Sequence, residues 1–156
     1  MSKSLKRVKA ALAAAGVTSD VMEMPGETRT AAQAAEAAGC DIDQIAKSII
    51  FQGGGTGQIY LFVTAGGNQV DPDKAAALAG EPMVRADAGV VRSVTGFAIG
   101  GVSPVGHMTA VPVFMDKRLM DFATVWGAAG TPRHIFPIDP GELSKILDVE
   151  PTVFTS

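Results

Sequence analysis

The sequence predicts an α/β fold: a single domain with a mixed, curved, barrel-like β-sheet surrounded by helices. Three observations predict it. The 156 residues suit one domain, spanning 1–156 with no linker and no internal repeat. Hydrophobic residues make up 47% of the chain against 19% charged, which favours a packed core over disorder. A chain of this size can bury roughly 70% of its unfolded surface. Finally, helical and strand patterns mix without regular βαβ alternation, the mark of a mixed sheet with helices outside it.

Each element has a local reason. Leu5, Val8 and Leu12 recur at helical spacing within 3–15, and Gly16 stops that helix. Val21–Met24 is a short extended piece before the Pro25-Gly26 turn. Thr30 caps a helix over Ala31–Ala38, which Gly39 ends. Asp41 or Asp43 starts a short helical turn that includes Ile45 and Ala46. Lys47 then leads into a buried strand, Ser48–Phe51. Gly53–Gly57 is a hairpin loop and Gln58–Thr64 the returning strand. This glycine run lacks the spacing and the Lys-Ser/Thr ending of a phosphate loop, and it opens onto a strand.

Asp71-Pro72 caps and opens a helix that Gly80 stops. Met83–Arg85 reads as a short strand, and Asp87 caps a short helix carrying Val90, Val91 and Val94 up to Gly96. Two apolar segments, Phe97–Ile99 and Thr109–Met115, read as strands flanking a Gly/Pro-rich loop, Gly100–His107. Pro112 marks an edge or a bulge in the second of these. Asp116–Met120 is a turn or short helix, Ala123–Trp126 a strand, Gly127–Gly130 a turn and Arg133–Ile138 a strand. Asp139-Pro140 opens a last helix ending near Leu147, and the tail from Val149 to Ser156 is expected to be peripheral.

Composition also narrows function. A formal net charge of −3 is unlike a generic, strongly electrostatic nucleic-acid binder, yet it leaves room for a local contact with one RNA end. The single cysteine, Cys40, has no disulfide partner and no zinc-site companion, which suits the cytoplasm. It ends an Ala-rich helix and reads as a small apolar residue. Lys3, Lys6, Arg7 and Lys9 interleave with Leu5, Val8 and Leu12, so the opening segment is an amphipathic helix rather than a signal peptide. No run approaches the roughly 18 apolar residues of a membrane span.

Several residue types carry candidate chemistry. Lys47 sits where a helical turn meets a buried strand, either snorkelling or offering its ammonium to an anionic or carbonyl group. In the Gly100–His107 loop, glycines let main-chain N–H groups approach a ligand and Pro104 stiffens the turn. Such a loop is either a plain connector or a cradle for a developing oxyanion. Ser103 lacks a Gly-x-Ser-x-Gly elbow and an evident base, which favours a substrate-contacting hydroxyl or a turn residue over a nucleophile. His107 and His134 are the only histidines, without the carboxylate or cysteine spacing of a metal site. Thr28, Arg29 and Thr30 line a pocket mouth or simply cap the following helix.

Three segments together resemble the YbaK/ProX family of editing domains, related to the insertion domain of bacterial prolyl-tRNA synthetases. They are Asp43–Phe51 with Lys47, Gly100–His107, and Phe122–Trp126, and the resemblance runs from about Leu5 to Leu147. Lys47 paired with the Gly100–Pro104 loop is its distinctive feature. The resemblance implies a hydrolase that removes wrongly attached amino acids from tRNA. It implies Lys47, Gly100, Gly101 and Ser103 as catalytic residues, with Thr28, Thr30, Pro104, His107 and His134 binding substrate. It also implies the acceptor end of a mischarged tRNA as partner and an aminoacyl-tRNA synthetase as a second, with no metal, cofactor, DNA or membrane. Pro132-Arg133-His134-Ile135 stands where the YbaK subgroup carries an acidic residue, and His107 where it often has an amide, so the amino-acid specificity stays open.

An aminoacyl ester is already reactive, so the expected mechanism is metal-free attack by water. Backbone N–H groups around Gly101 hold the oxyanion, Lys47 positions the substrate, and the substrate's own ribose hydroxyl or side chain helps activate water. The rivals are a non-catalytic module binding an amino acid, a nucleotide or a tRNA end, and an esterase for small molecules.

Overall fold

The computed structural model describes residues 2–17 and 20–156. In chain order the elements are α1 (Lys3–Ala14), β1 (Met22–Glu23), α2 (Ala31–Ala38), a 3₁₀ turn (Ile42–Gln44), β2 (Ala46–Gly53), β3 (Ile59–Ala65), α3 (Pro72–Ala79), β4 (Met83–Arg85), α4 (Ala88–Thr95), β5 (Val113–Met115), a second 3₁₀ turn (Lys117–Asp121), β6 (Val125–Ala128), β7 (His134–Ile138) and α5 (Pro140–Leu147). The caps read from the sequence hold the helices. Thr30 forms a reciprocal capping box with Gln33, Asp71 and Asp139 cap helices that open on proline, and Gly39, Gly80 and Gly96 close theirs in left-handed geometry.

The strands form two sheets, a four-stranded one in the order β4-β2-β3-β5 and a three-stranded one in the order β1-β7-β6. β2 and β3 are an antiparallel hairpin paired from Ala46↔Ala65 to Gln52↔Ile59, and β5 lies parallel to β3. The mixed pairing agrees with the expectation; the barrel-like curvature does not. Neither sheet closes or curls strongly. Closure needs a continuous ladder around the barrel. Here the two sheets meet at one parallel bridge, Ile45↔Trp126. The outer strands are too short to extend the ladder: β1 has two residues, and β4 and β5 three each.

β3 supplies the structural centre because its alternating side chains enter two cores. Leu61, Val63 and Ala65 join Val8, Phe97, Phe136 and Leu143 on one face, while Tyr60 and Phe62 join Ala75 and Phe154 on the other.

Other departures are local. Phe97–Ile99 is not a strand: Phe97 N–H bonds to Thr95 Oγ1 and Gly101 N–H to Ala98 O, which turns the chain. The strand expected over Thr109–Met115 shrinks to β5, since the N–H groups of Met108 and Thr109 bond back to α4 carbonyls and Pro112 has no N–H. Ile45 is extended and Ala46 opens β2, so Lys47 lies inside the strand. Gly127 belongs to β6 rather than to a turn. The tail is not peripheral. Phe154 is fully buried, and bridges pair Thr152 with Asp116 and Thr155 with Val70. Among the described residues no helix is long and apolar enough to cross a membrane.

Candidate active site

Where the two sheets part, a cavity of about 350 Å³ opens, near the lower end of the range for small-molecule sites. Its walls come from five places: Thr28–Ala31 at the start of α2, Ala46–Ile49 of β2, Gly100 and Val102 of the long loop, Trp126–Ala128 of β6, and Ile135 of β7. Three of these are segments singled out in the sequence, brought together from far apart in the chain.

Lys47 is the cation in the wall formed by β2. Its Nζ donates to Gly66 O at 3.1 Å and to Asn68 O at 2.6 Å. Burial pulls its pKa below the ordinary lysine value, opposed by the carboxylates of Asp116 and Asp43. Those carboxylates also hold the turn that Lys47 bonds. Asp116 Oδ2 accepts from Ala65 N at 3.1 Å and from Asn68 Nδ2 at 3.0 Å, while Asp43 Oδ1 accepts from Gly67 N at 2.9 Å. Arg118 ties Asp43 to Asp121 in turn. Gly66 has no alternative here, because a Cβ would collide with Ile42 O.

Gly100 sits opposite, at φ 94°, a conformation that favours glycine. The Arg29 side chain crosses over it and bonds Glu27 at 3.2 Å at the cavity mouth. The N–H of Gly101 is spent on Ala98 O at 3.0 Å. The N–H groups of Gly100 and Val102 have no such acceptor among the described residues and belong to cavity-lining residues.

Thr28 and Thr30 line the cavity together with Lys47 and Gly100. Thr28 is buried and doubly bonded to Pro132 O, through N at 2.6 Å and Oγ1 at 3.2 Å. Thr30 Oγ1 accepts the Gln33 N–H as the helix cap. Ser103 is completely buried behind the wall, its Oγ accepting from Val105 N at 3.2 Å. Pro104 and His107 line a separate apolar depression beside Val111 and Ile146. His107 donates from Nε2 to Ser103 O at 2.6 Å, and burial lowers its pKa, so the neutral ring is favoured. Its Nδ1 is buried and without a partner among the described residues. His134 lies in a third depression with Glu23 and Lys9, its Nδ1 2.6 Å from Thr131 Oγ1.

Sequence reasoning missed Ser48 and the β6 wall. Ser48 lines the cavity, and its Oγ is buried with no partner among the described residues. Trp126, read as core, is half-buried at the cavity wall. Nothing in the local pattern marks either one as a site residue, although Ser48 lies within the Asp43–Phe51 segment and Trp126 within the Phe122–Trp126 segment. Cys40 packs with Ala34, Ala35 and Ile45 outside the cavity, its thiol pKa raised chiefly by burial. Among the described residues no group of three or more His, Cys, Asp or Glu side chains is placed to hold a metal ion.

Comparison with known proteins relates almost the whole chain to others. Residues 25–146 match the family described as the aminoacyl-tRNA editing domain. The uncharacterised protein YwhH of Bacillus subtilis (strain 168) is 34% identical over 142 residues, covering 91% of this chain and 90% of YwhH. A crystal structure of a proposed trans-editing enzyme for prolyl tRNA synthetase superposes with a TM-score of 0.92 at 42% identity, over 100% of this chain and 99% of that one. The crystal structure of the hypothetical protein APE2540 superposes with a TM-score of 0.88 at 27% identity, over 96% and 99% of the two chains.

Proposed function

Because this chain belongs to the aminoacyl-tRNA editing domain family, we propose that it is a trans-editing hydrolase that cleaves the ester joining a wrong amino acid to the 3′ end of a tRNA. The observation that carries this reading is the pairing of the Lys47 ammonium with the Gly100–Val102 loop in one cavity. Two of the ammonium's three protons are held by Gly66 O and Asn68 O, which fixes the head group and leaves one proton for a ligand.

The chemistry asks little of the protein. Water attacks the ester carbonyl, the bond from that carbon to the ribose oxygen breaks, and the proton lost by water ends on the departing ribose hydroxyl. The neighbouring ribose hydroxyl of the substrate relays it. Charge builds on the carbonyl oxygen, so preorganised donors lower the barrier. The N–H groups of Gly100 and Val102 replace that of Gly101 in this role, because Gly101 already serves the turn. Lys47 orients the terminal nucleotide or the polar part of the acyl group. An unpaired acceptor end can enter such a cavity where a duplex cannot. The synthetase that makes the mischarged tRNA is the natural second partner of this reaction.

Deacylation of a panel of mischarged tRNAs tests the reading. The wild-type protein should release at least one amino acid catalytically. Lys47→Ala should lower turnover by about 100-fold, the scale of a lost electrostatic contact in an active site, while circular dichroism shows the fold retained. Binding of every aminoacyl-tRNA without turnover would refute it in favour of a non-catalytic module.

A further inference from the structure

β2 has an unpaired edge, and the cavity lies against it. β2 pairs with β3 from Ala46 to Gln52, but with β4 only from Phe51 to Gly53. The bridge from Ile45 to Trp126 closes the other end. Between these two points no strand among the described residues pairs with that edge.

The ladder decides which peptide groups face the gap. Gly53 N–H donates to Gln58 O, so that pair is hydrogen-bonded, and such pairs alternate along an antiparallel ladder. Phe51, Ile49 and Lys47 therefore turn their peptide groups toward β3, while Ile50, Ser48 and Ala46 turn theirs away. The partners on β3 agree, since Leu61 N–H donates to Pro112 O and Val63 O accepts from Asp116 N on β3's own far side. Ala46 and Ser48 both face outward and line the cavity, but Ala46 adjoins the Ile45↔Trp126 bridge, which leaves Ser48 as the outward-facing cavity residue in the open stretch.

We propose that the aminoacyl group of the substrate docks on this edge as a one-residue strand, exchanging two hydrogen bonds with Ser48. This rests on the hydrolase reading and deepens it. A strand residue presents one N–H and one C=O to its partner. An aminoacyl ester presents the matching pair: an α-ammonium donor and, one carbon away, a carbonyl acceptor. The Ser48 C=O takes the ammonium, a charge-assisted bond that the Lys47 cation opposite cannot supply. The Ser48 N–H meets the ester carbonyl and holds it toward the donors of Gly100 and Val102. The site thus selects acyl groups that carry an α-amino function whatever their side chain, and the side chain is left to the surrounding walls.

The test uses the intact protein, ¹⁵N-labelled, with two stable probes: 3′-deoxy-3′-(alanylamino)adenosine and its propionylamino counterpart, which lacks the α-amine. The Ser48 amide resonance should move on addition of the first, and the second should bind at least about tenfold more weakly, the scale of a lost charge-assisted bond. In deacylation assays Ser48→Pro removes the outward N–H without touching the β3 ladder. It should lower kcat/KM by about 100-fold, as for one oxyanion donor. Shifts at Gly100 and Thr28 that spare Ser48, or equal binding of the two probes, overturn the edge docking and leave the hydrolase reading standing. A folded Ser48→Pro protein with wild-type turnover overturns it too; should that variant unfold, the probe measurements decide. No shift of any cavity resonance with the alanyl probe overturns both.

Discussion

Replacing the buried carboxylate of Asp116 should be strongly destabilising. The side chain is 3% exposed, and its two oxygens accept three hydrogen bonds, from Ala65 N, Asn68 Nδ2 and Arg118 N. Asp116→Ala strands the Ala65 N–H inside the core, because Ala65 is fully buried and its amide faces away from β2. A buried donor without an acceptor costs about 1–3 kcal/mol. The cap on the Lys117–Asp121 turn is lost as well, worth about 1 kcal/mol. Asn68 is only partly buried and recovers a water partner. The sum is about 3 kcal/mol, a large part of the roughly 5–15 kcal/mol of a domain this size. It corresponds to a fall in Tm of roughly 6–12 °C. Asp116→Asn keeps an oxygen for Ala65 and Asn68 and turns its amide toward Arg118 N, so its cost should be nearer 1 kcal/mol. Urea titration followed by the fluorescence of the single tryptophan, Trp126, measures both. A loss below about 1 kcal/mol for Asp116→Ala, or the reverse order of the two variants, would refute this account of the buried carboxylate.

The remaining expectations concern pH and the tail. Glu81 accepts from Gly55 N, Thr56 N, Thr56 Oγ1 and Tyr60 Oη, which hold its pKa down to about 2 from the ordinary 4.5. Its stabilisation is complete above 4.5 and disappears as pH falls toward 2, so Glu81→Gln should flatten the acid limb of the stability curve in that window. His107 has a lowered pKa because burial disfavours the charged ring, so below the ordinary value of 6.5 the unfolded chain gains a proton that the folded one resists. Stability should therefore fall with acidification from 6.5 downward, and His107→Gln should remove that slope in pH-dependent denaturation. Phe154→Ala empties a fully buried position against Phe62 and should cost about 3–5 kcal/mol in the same titration. A peripheral tail would give almost no change.

Much of the local structure was legible because its causes are local. Thr30, Asp71 and Asp139 cap helices through atoms two or three residues away, and glycines end α2, α3 and α4. The β2–β3 hairpin follows from one glycine run between two apolar segments. The misread elements lack such local causes. Phe97–Ile99 has strand composition but no partner strand among the described residues, and the Phe97 N–H turns back to Thr95 Oγ1. The last residues look like a tail until Phe154 enters the core formed by β3 and α3.

For the site, residue types pointed to Lys47 and Gly100, and tertiary structure decided what each can do. A lysine before an apolar strand reads equally as a snorkelling cation or a functional one. The carbonyls of Gly66 and Asn68, held by Asp43 and Asp116, determine where its ammonium stands. A Gly/Pro loop announces a turn, and the hydrogen bond from Gly101 to Ala98 shows that the Gly101 amide is spent on that turn. Ser103, Pro104 and His107 share that loop with Gly100, yet the chain turns them behind the cavity wall or toward another depression.

By itself the sequence determined the α/β character and mixed strand pairing but not the sheet's shape, together with most helix boundaries, the central hairpin and the family pattern of Lys47 with the Gly100–Pro104 loop. These depend on side-chain chemistry and on spacing within a few residues. The tertiary structure alone decided that the sheets stay open, that the gap between them becomes a cavity, and that Ser48 faces into that gap. Those outcomes depend on which distant strands pair and where the pairing stops. Hydrogen-bond register is a property of two segments at once, and neither segment carries it alone.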